Sequence, residues 1–228
     1  MSMLLVGDVH EDNANLDSVH GVDKVAPNPK GKAPVPFICV GDLGFDYKKI
    51  KVPKRPFMFI DGNHDNFEKF DCNGTELQVI DNGIVYIPRG YINENGVLFI
   101  GGAESIDKHS RIRGLSWWPQ EQITYDQMAR ILADPRLKTV HTVVSHCAPT
   151  EIAKKIIEGM SLKFGQASHM EFFGSTSESM LENLLEQGDF HPKRWYFGHY
   201  HVNWEQEYGD CRFRCIAPGS VVLAENPE

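Results

Sequence analysis

The chain has 228 residues, 41% hydrophobic and 24% charged, which are ordinary proportions for a globular protein long enough to bury one sizeable core. Its formal net charge of −8, from 31 acidic against 23 basic residues, excludes a protein built mainly to wrap nucleic acid, since such binders present a strongly basic surface. A small nucleotide stays admissible as a ligand, because a bound metal ion can supply positive charge locally.

The opening MSMLLVGDVH has too short an apolar part for a signal peptide and no basic residues ahead of it. No apolar run reaches the roughly 20 residues of a membrane span, so a cytoplasmic protein without a membrane partner is expected. Short runs rich in Val, Ile and Phe recur at 3–8, 36–42, 56–64, 97–105, 142–146 and 194–201. They lack clean alternation, which suits strands buried on both faces, and each ends in a polar or Gly-rich cluster. The stretch 24–36 holds four prolines and is expected to be a loop within one domain, since the strand pattern resumes directly after it.

Pro119 and the acidic residue behind it predict a helix over 119–134. Further helices are predicted over 150–159 and 177–188, each starting at Thr or Ser and stopping at Gly. In the last of these, Ser177, Met180, Leu181, Leu184 and Leu185 form a stripe at helical spacing that reads as core. Beyond residue 194, strands joined by short turns are expected, with a hairpin at EYGDCRF. Cys39, Cys72, Cys147, Cys211 and Cys215 are odd in number and fit no zinc-ribbon spacing, so they read as reduced, mostly buried thiols. Residues 1–228 are expected to form a single layered α/β domain.

The ends of the apolar runs concentrate one kind of chemistry. In order they carry Asp8 with His10, Asp42, Asn63-His64-Asp65, His146, and His199 with His201. All are side chains that ligate metals or move protons. A set of Asp, His and Asn without Cys suits borderline-hard divalent ions such as manganese, iron or zinc. Open α/β sheets bind ligands at their strand ends. Taken alone, the GNHD stretch at 62–65 reads equally well as a loop cap, because Gly, Asn and Asp punctuate turns. The remaining histidines, His20, His109, His141, His169 and His191, read as surface or core side chains.

Five pieces in order change that balance: GDVH (7–10), VGD (40–42), GNHD (62–65), VSH (144–146) and GHYH (198–201). Together they resemble the signature of the calcineurin-like metallophosphoesterase superfamily. The resemblance implies a four-layer α/β/β/α sandwich of two mixed sheets flanked by helices, hydrolysing phosphate esters with two divalent ions. Those ions, manganese or else iron, zinc, nickel or magnesium, supply a nucleophile from water at neutral pH and offset phosphoryl charge. By the same resemblance Asp8, His10 and His201 hold the first ion, Asn63, His146 and His199 the second, and Asp42 bridges them. His64 is implied to stabilise or protonate the leaving oxygen, with Asp65 orienting its ring.

One departure narrows the substrate. The protein-phosphatase branch carries G-D-x-x-D-R-G at its second motif, whereas 41–49 reads GDLGFDYKK, with no Arg and with Asp46 one place late. Small phosphodiesterase-like members from bacteria and phages lack that Arg too. The stretch 101–122, GGAESIDKHSRIRGLSWWPQEQ, is similar to a segment found in some of them. Within it Arg111 and Arg113 are candidates to meet a phosphate, and Trp117 or Trp118 to stack on a base, while Asn63 and Tyr200 are candidates to line the pocket. The plainer alternative is core tryptophans and arginines that are solvated or paired with Asp107. The expected function is phosphodiester hydrolysis on a small or nucleotide-like ester, with extended nucleic acid disfavoured. A phosphomonoesterase or protein phosphatase, a nuclease, and a non-catalytic binding scaffold are the alternatives.

Overall fold

The computed structural model describes residues 3–25, 34–164 and 175–224. Most of the proline-rich stretch at 24–36, and His169, lie outside these residues. In chain order the strands are β1 (Met3–Val6), β2 (Phe37–Cys39), β3 (Phe57–Phe59), β4 (Gln78–Val79), β5 (Val85–Tyr86), β6 (Tyr91–Ile92), β7 (Val97–Ile100), β8 (Thr142–Ser145), β9 (Arg194–Phe197), β10 (Trp204–Tyr208), β11 (Cys211–Cys215) and β12 (Val221–Ala224). The helices are α1 (Asp17–Val25), α2 (Tyr125–Leu132), α3 (Thr150–Phe164) and α4 (Thr176–Leu185).

The strands pair into two six-stranded sheets, ordered β12-β1-β2-β3-β5-β4 and β10-β11-β9-β8-β7-β6. In each sheet the central strands run parallel and the strand at either edge is antiparallel. Parallel centres need cover on both faces, and the alternation of side chains supplies it. From β1, Leu5 turns toward the second sheet with Ile38 and Val40, meeting Phe99, Val144 and Tyr196 between the sheets. Leu4 and Val6 turn the other way, with Phe37 and Cys39, and pack on Leu16 and Val19 near α1 and on Phe67, Phe70 and Trp118. On the far face of the second sheet, Leu98, Ile100 and Val143 meet Met128 and Ile131 of α2, Ile152 and Ile156 of α3, and Leu181 and Leu184 of α4. The layers are therefore helix, sheet, sheet, helix, as expected. Among the described residues no helix is long and apolar enough to cross a membrane.

Three expectations need correction. The helix expected over 119–134 is broken in two: Pro119–Glu121 makes a single 3-10 turn, and α2 starts afresh behind Thr124. Thr124 and Gln127 form a reciprocal capping box there, which satisfies the free N–H groups of the new helix start. Next, α3 runs through Gly159 to Phe164. An interior glycine costs about 1 kcal/mol relative to alanine, less than the burial of Ile152, Ile156 and Ile157 returns. Finally, α4 is capped by Ser175 rather than by Ser177, whose buried hydroxyl instead accepts from the Ile123 N–H at 2.9 Å.

Candidate metal centre and active site

Each apolar run leaves its sheet before its polar residues arrive, so the motif side chains sit on tight loops at the strand tips. His10, Asp42, His199 and His201 all adopt left-handed backbone, with φ of 54°, 52°, 67° and 54°. Such conformations are uncommon for residues with a Cβ and cost on the order of 1–3 kcal/mol each, and they gather where a site over-determines them. The two glycines beside these loops make room for ligand atoms. A Cβ on Gly62 would lie 2.2 Å from Asp42 Oδ1, and one on Gly198 would lie 2.1 Å from Asp8 Oδ1.

Two groups of ligand atoms converge, and Asp42 belongs to both. Asp8, His10, Asp42 and His201 form one, Asp42, His146 and His199 the other, each with its ligand atoms within 4.8 Å of one another. In the first, His10 Nε2 lies 3.0 Å from His201 Nε2, and His201 Nε2 lies 3.3 Å from Asp8 Oδ2. In the second, Asp42 Oδ1 lies 3.3 Å from His146 Nε2, and Asn63 Oδ1 lies 3.2 Å from the same nitrogen. Asp42 Oδ2 leans the other way, 3.8 Å from His10 Nε2. A carboxylate is the one side chain that can offer an oxygen to each group in this way.

These residues fit divalent cations. Asp8 Oδ1 is buried with no hydrogen-bond partner, although a buried carboxylate oxygen without one is costly. His146 donates its Nδ1–H to the Val40 carbonyl at 2.8 Å, which turns Nε2 toward Asp42 and Asn63. The protein's own charges act on one another here. Burial opposes ionisation of Asp42, yet His146, His64 and His10 outweigh it and hold the carboxyl well below the usual range. Burial likewise opposes a charged His146, but Asp42 pushes it up to about 10. Burial, aided by His146, pushes His199 down to about 3.

A cavity of about 390 Å³ opens beside the shared carboxylate. His64 stands on its wall, edge-on to His10 at 4.8 Å between ring centroids. Its Nε2 lies 2.6 Å from Arg111 Nη2, and burial, opposed by Asp42, lowers its pKa. Arg111 also lines the cavity, with Nε 2.6 Å from Asp107. Tyr200 lines it too, while its hydroxyl donates to Glu178 at 2.8 Å and accepts from the Ala148 N–H at 3.3 Å. Arg113 and Trp117, expected near substrate, are not among its lining residues. They form a bridge to one another, and Arg113 is exposed. Trp118 is core, packed on Phe45 and Phe67.

Asp65 needs a further correction. It was expected to orient the His64 ring, but its carboxylate accepts from the Gly62 N–H at 2.7 Å and the Gly44 N–H at 3.1 Å, with the Tyr47 hydroxyl 3.3 Å away. It closes the GNHD loop and ties it to the VGD loop. Burial and nearby Asp42 push its carboxyl well up.

Reading the sequence also missed the braces behind the centre. Asn63 Nδ2 donates to Ser105 Oγ at 3.3 Å, and that hydroxyl donates to Glu121 Oε2 at 2.6 Å. Buried Arg89 lies 2.5 Å from Asp61 and donates to the carbonyls of Gln120, Glu121 and Gln122. Ser105 and Glu121 both lie in the stretch 101–122, where the arginines and tryptophans drew attention. A Glu wedged behind WWP was the available signal. Arg89, in an otherwise plain IPRG stretch, offered none.

No curated protein matches the chain in sequence. A crystal structure of phosphopantetheinyl hydrolase from Mycobacterium tuberculosis is similar over 96% of this chain and 90% of that one, with a TM-score of 0.48 and 14% identity. Residues 1–203 match the model of the calcineurin-like phosphoesterase family. The chain belongs to that family, and is a hydrolase of phosphoric esters with a dinuclear site for divalent metal ions.

Proposed function

We propose that the chain is a phosphodiesterase acting on a small or nucleotide-like ester, a single-domain cytoplasmic enzyme using two manganese ions. Asp8, His10 and His201 hold one ion, Asn63, His146 and His199 the other, and Asp42 serves both. The cavity wall carries the reading. Beside the shared carboxylate stand Glu104, Asp107 and Glu178, with Ile106, Ile157 and Met160, and among the described residues Arg111 is the one lysine or arginine that lines the cavity. That arginine is already paired with Asp107. A diester brings a single negative charge to the centre and suits such a wall better than a monoester dianion does.

Divalent ions at the two groups supply Lewis acidity and a nucleophile from water. The protein's own part falls to His64 and Arg111. A guanidinium can only donate, so His64 Nε2 accepts from Arg111 and the ring's proton sits on Nδ1. Drawing Arg111 onto a phosphoryl oxygen frees Nε2 to take a proton from solvent, and His64, then protonated on both nitrogens, gives that proton to the leaving oxygen as its bond to phosphorus breaks.

A second reading, phosphomonoester hydrolysis, gains support from the same contact. Although the second motif lacks an arginine, Arg111 brings one to His64 from another loop at 2.6 Å. Hydrolysis of bis-p-nitrophenyl phosphate and p-nitrophenyl phosphate by the manganese-loaded protein, with an EDTA control, separates the two. Faster diester cleavage, abolished by EDTA, is expected. Dominant monoester cleavage would shift the assignment to a phosphatase.

A further inference from the structure

Asn63 poses a problem that Asp and His ligands do not. Its carboxamide has an oxygen that attracts a cation and an amine that repels one, and the two ends are nearly equal in size. Something must decide which end faces the metal centre. Nδ2 donates to Ser105 Oγ at 3.3 Å, and Oδ1 lies 3.2 Å from His146 Nε2. Ser105 has one hydroxyl proton, and it goes to Glu121 Oε2 at 2.6 Å. Glu121 Oε1 meanwhile accepts the Ser105 backbone N–H at 2.9 Å, so both carboxylate oxygens grip the same residue. With its proton engaged, Ser105 Oγ can only accept, which selects the amine end of Asn63.

All three side chains are buried, Asn63 at 4%, Ser105 at 1% and Glu121 at 1% exposure, so bulk water does not compete for these bonds. Arg89 braces both ends of the relay. It pairs with Asp61, two residues before Asn63, and donates to the backbone carbonyl of Glu121 at 3.1 Å. We propose that Glu121, acting through Ser105, is a positioning residue that turns the Asn63 carboxamide oxygen toward the ion shared with His146 and His199. This rests on the reading of Asn63 as a ligand of that ion.

The test is manganese binding, by titration calorimetry and by metal content per chain, on the full-length protein and its variants. Ser105→Ala keeps every ligand and is expected to weaken one of two ions by about 10–100-fold, leaving the other nearly unchanged, with a modest fall in melting temperature because Glu121 Oε2 loses its donor. Glu121→Gln keeps an acceptor oxygen for the Ser105 hydroxyl and is expected to lose less. The decisive comparison uses Asn63→Asp, whose two ends are both oxygens. In that background Ser105→Ala should cost little. An equal loss in both backgrounds would show a merely structural role and overturn the inference, as would full two-ion binding by Ser105→Ala. A wild-type protein that binds fewer than two ions, or an Asn63→Ala variant that binds both as tightly as wild type, would instead defeat the ligand reading and this inference with it.

Discussion

The two halves of the proposed metal centre are built to different standards. In the half formed by Asp8, His10 and His201, Asp8 is buried but the histidine side chains are 24% and 53% exposed. In the half formed by Asn63, His146 and His199, the His146 side chain is wholly buried and Asn63 nearly so, and each is held from behind by the Val40 carbonyl or by Ser105. The second half is the more fully braced by the protein. Preorganisation favours tight, slow-exchanging ligation, so the ion at the exposed half is expected to exchange first.

The largest effect should come from the residue that joins the halves. Asp42→Asn is expected to remove both ions and bring activity to background, read by metal content and turnover together. His64→Ala, outside both ligand groups, should leave metal content at the wild-type level while slowing turnover by about 10²–10⁴-fold. Loss of metal in that variant would mean that His64 belongs to the ligand set. Asp65→Ala strips the acceptors from two buried N–H groups, on Gly62 and Gly44, at about 1–3 kcal/mol for each group left unsatisfied. Its melting temperature should fall well before its metal ligands are touched, which sets it apart from His64→Ala.

The candidate ligand positions were more legible in the sequence than their supports. Every motif position reached one end of the sheets, because short apolar runs ending in polar residues can only be buried strands feeding exposed loops. Asp8 and His10 converge from a loop and not from a strand, since β1 ends at Val6 and His10 turns left-handed. Helix α1 escaped notice because Gly21 interrupts a weak stripe of Leu16, Val19 and Val22. The Asp65 carboxylate binds backbone rather than the neighbouring ring, and backbone donors leave no trace in a sequence. The same holds for Arg89, whose partners are mostly carbonyls from residues about 30 positions away.

A smaller effect follows from charge. His146 has a folded pKa raised to about 10 from an ordinary 6.5, after Asp42 overcomes the opposing effect of burial. In chelator-treated protein the stability from this pair should be fully present below pH 6.5 and lost as pH rises toward 10. His199, depressed by burial to about 3, works in the other direction: the unfolded chain takes up its proton first, so stability falls as pH drops below 6.5. Manganese needs neutral His146, so its affinity should rise with pH through the same upper window. Thermal melts from pH 5 to pH 10, with and without manganese, would check this. A pH-independent affinity would break the link between His146 and the ion. The smallest expected effect is in exchange rate, with a chelator pulse removing the first ion from the exposed half.

Electron paramagnetic resonance of the manganese-loaded protein, alongside metal content per chain, addresses the shared carboxylate most directly. Two ions per chain with a spin-coupled spectrum are expected in wild type, and that spectrum should vanish in Asp42→Asn. Two uncoupled ions, or a coupled pair that persists without the Asp42 carboxylate, would contradict a centre built around that one bridge.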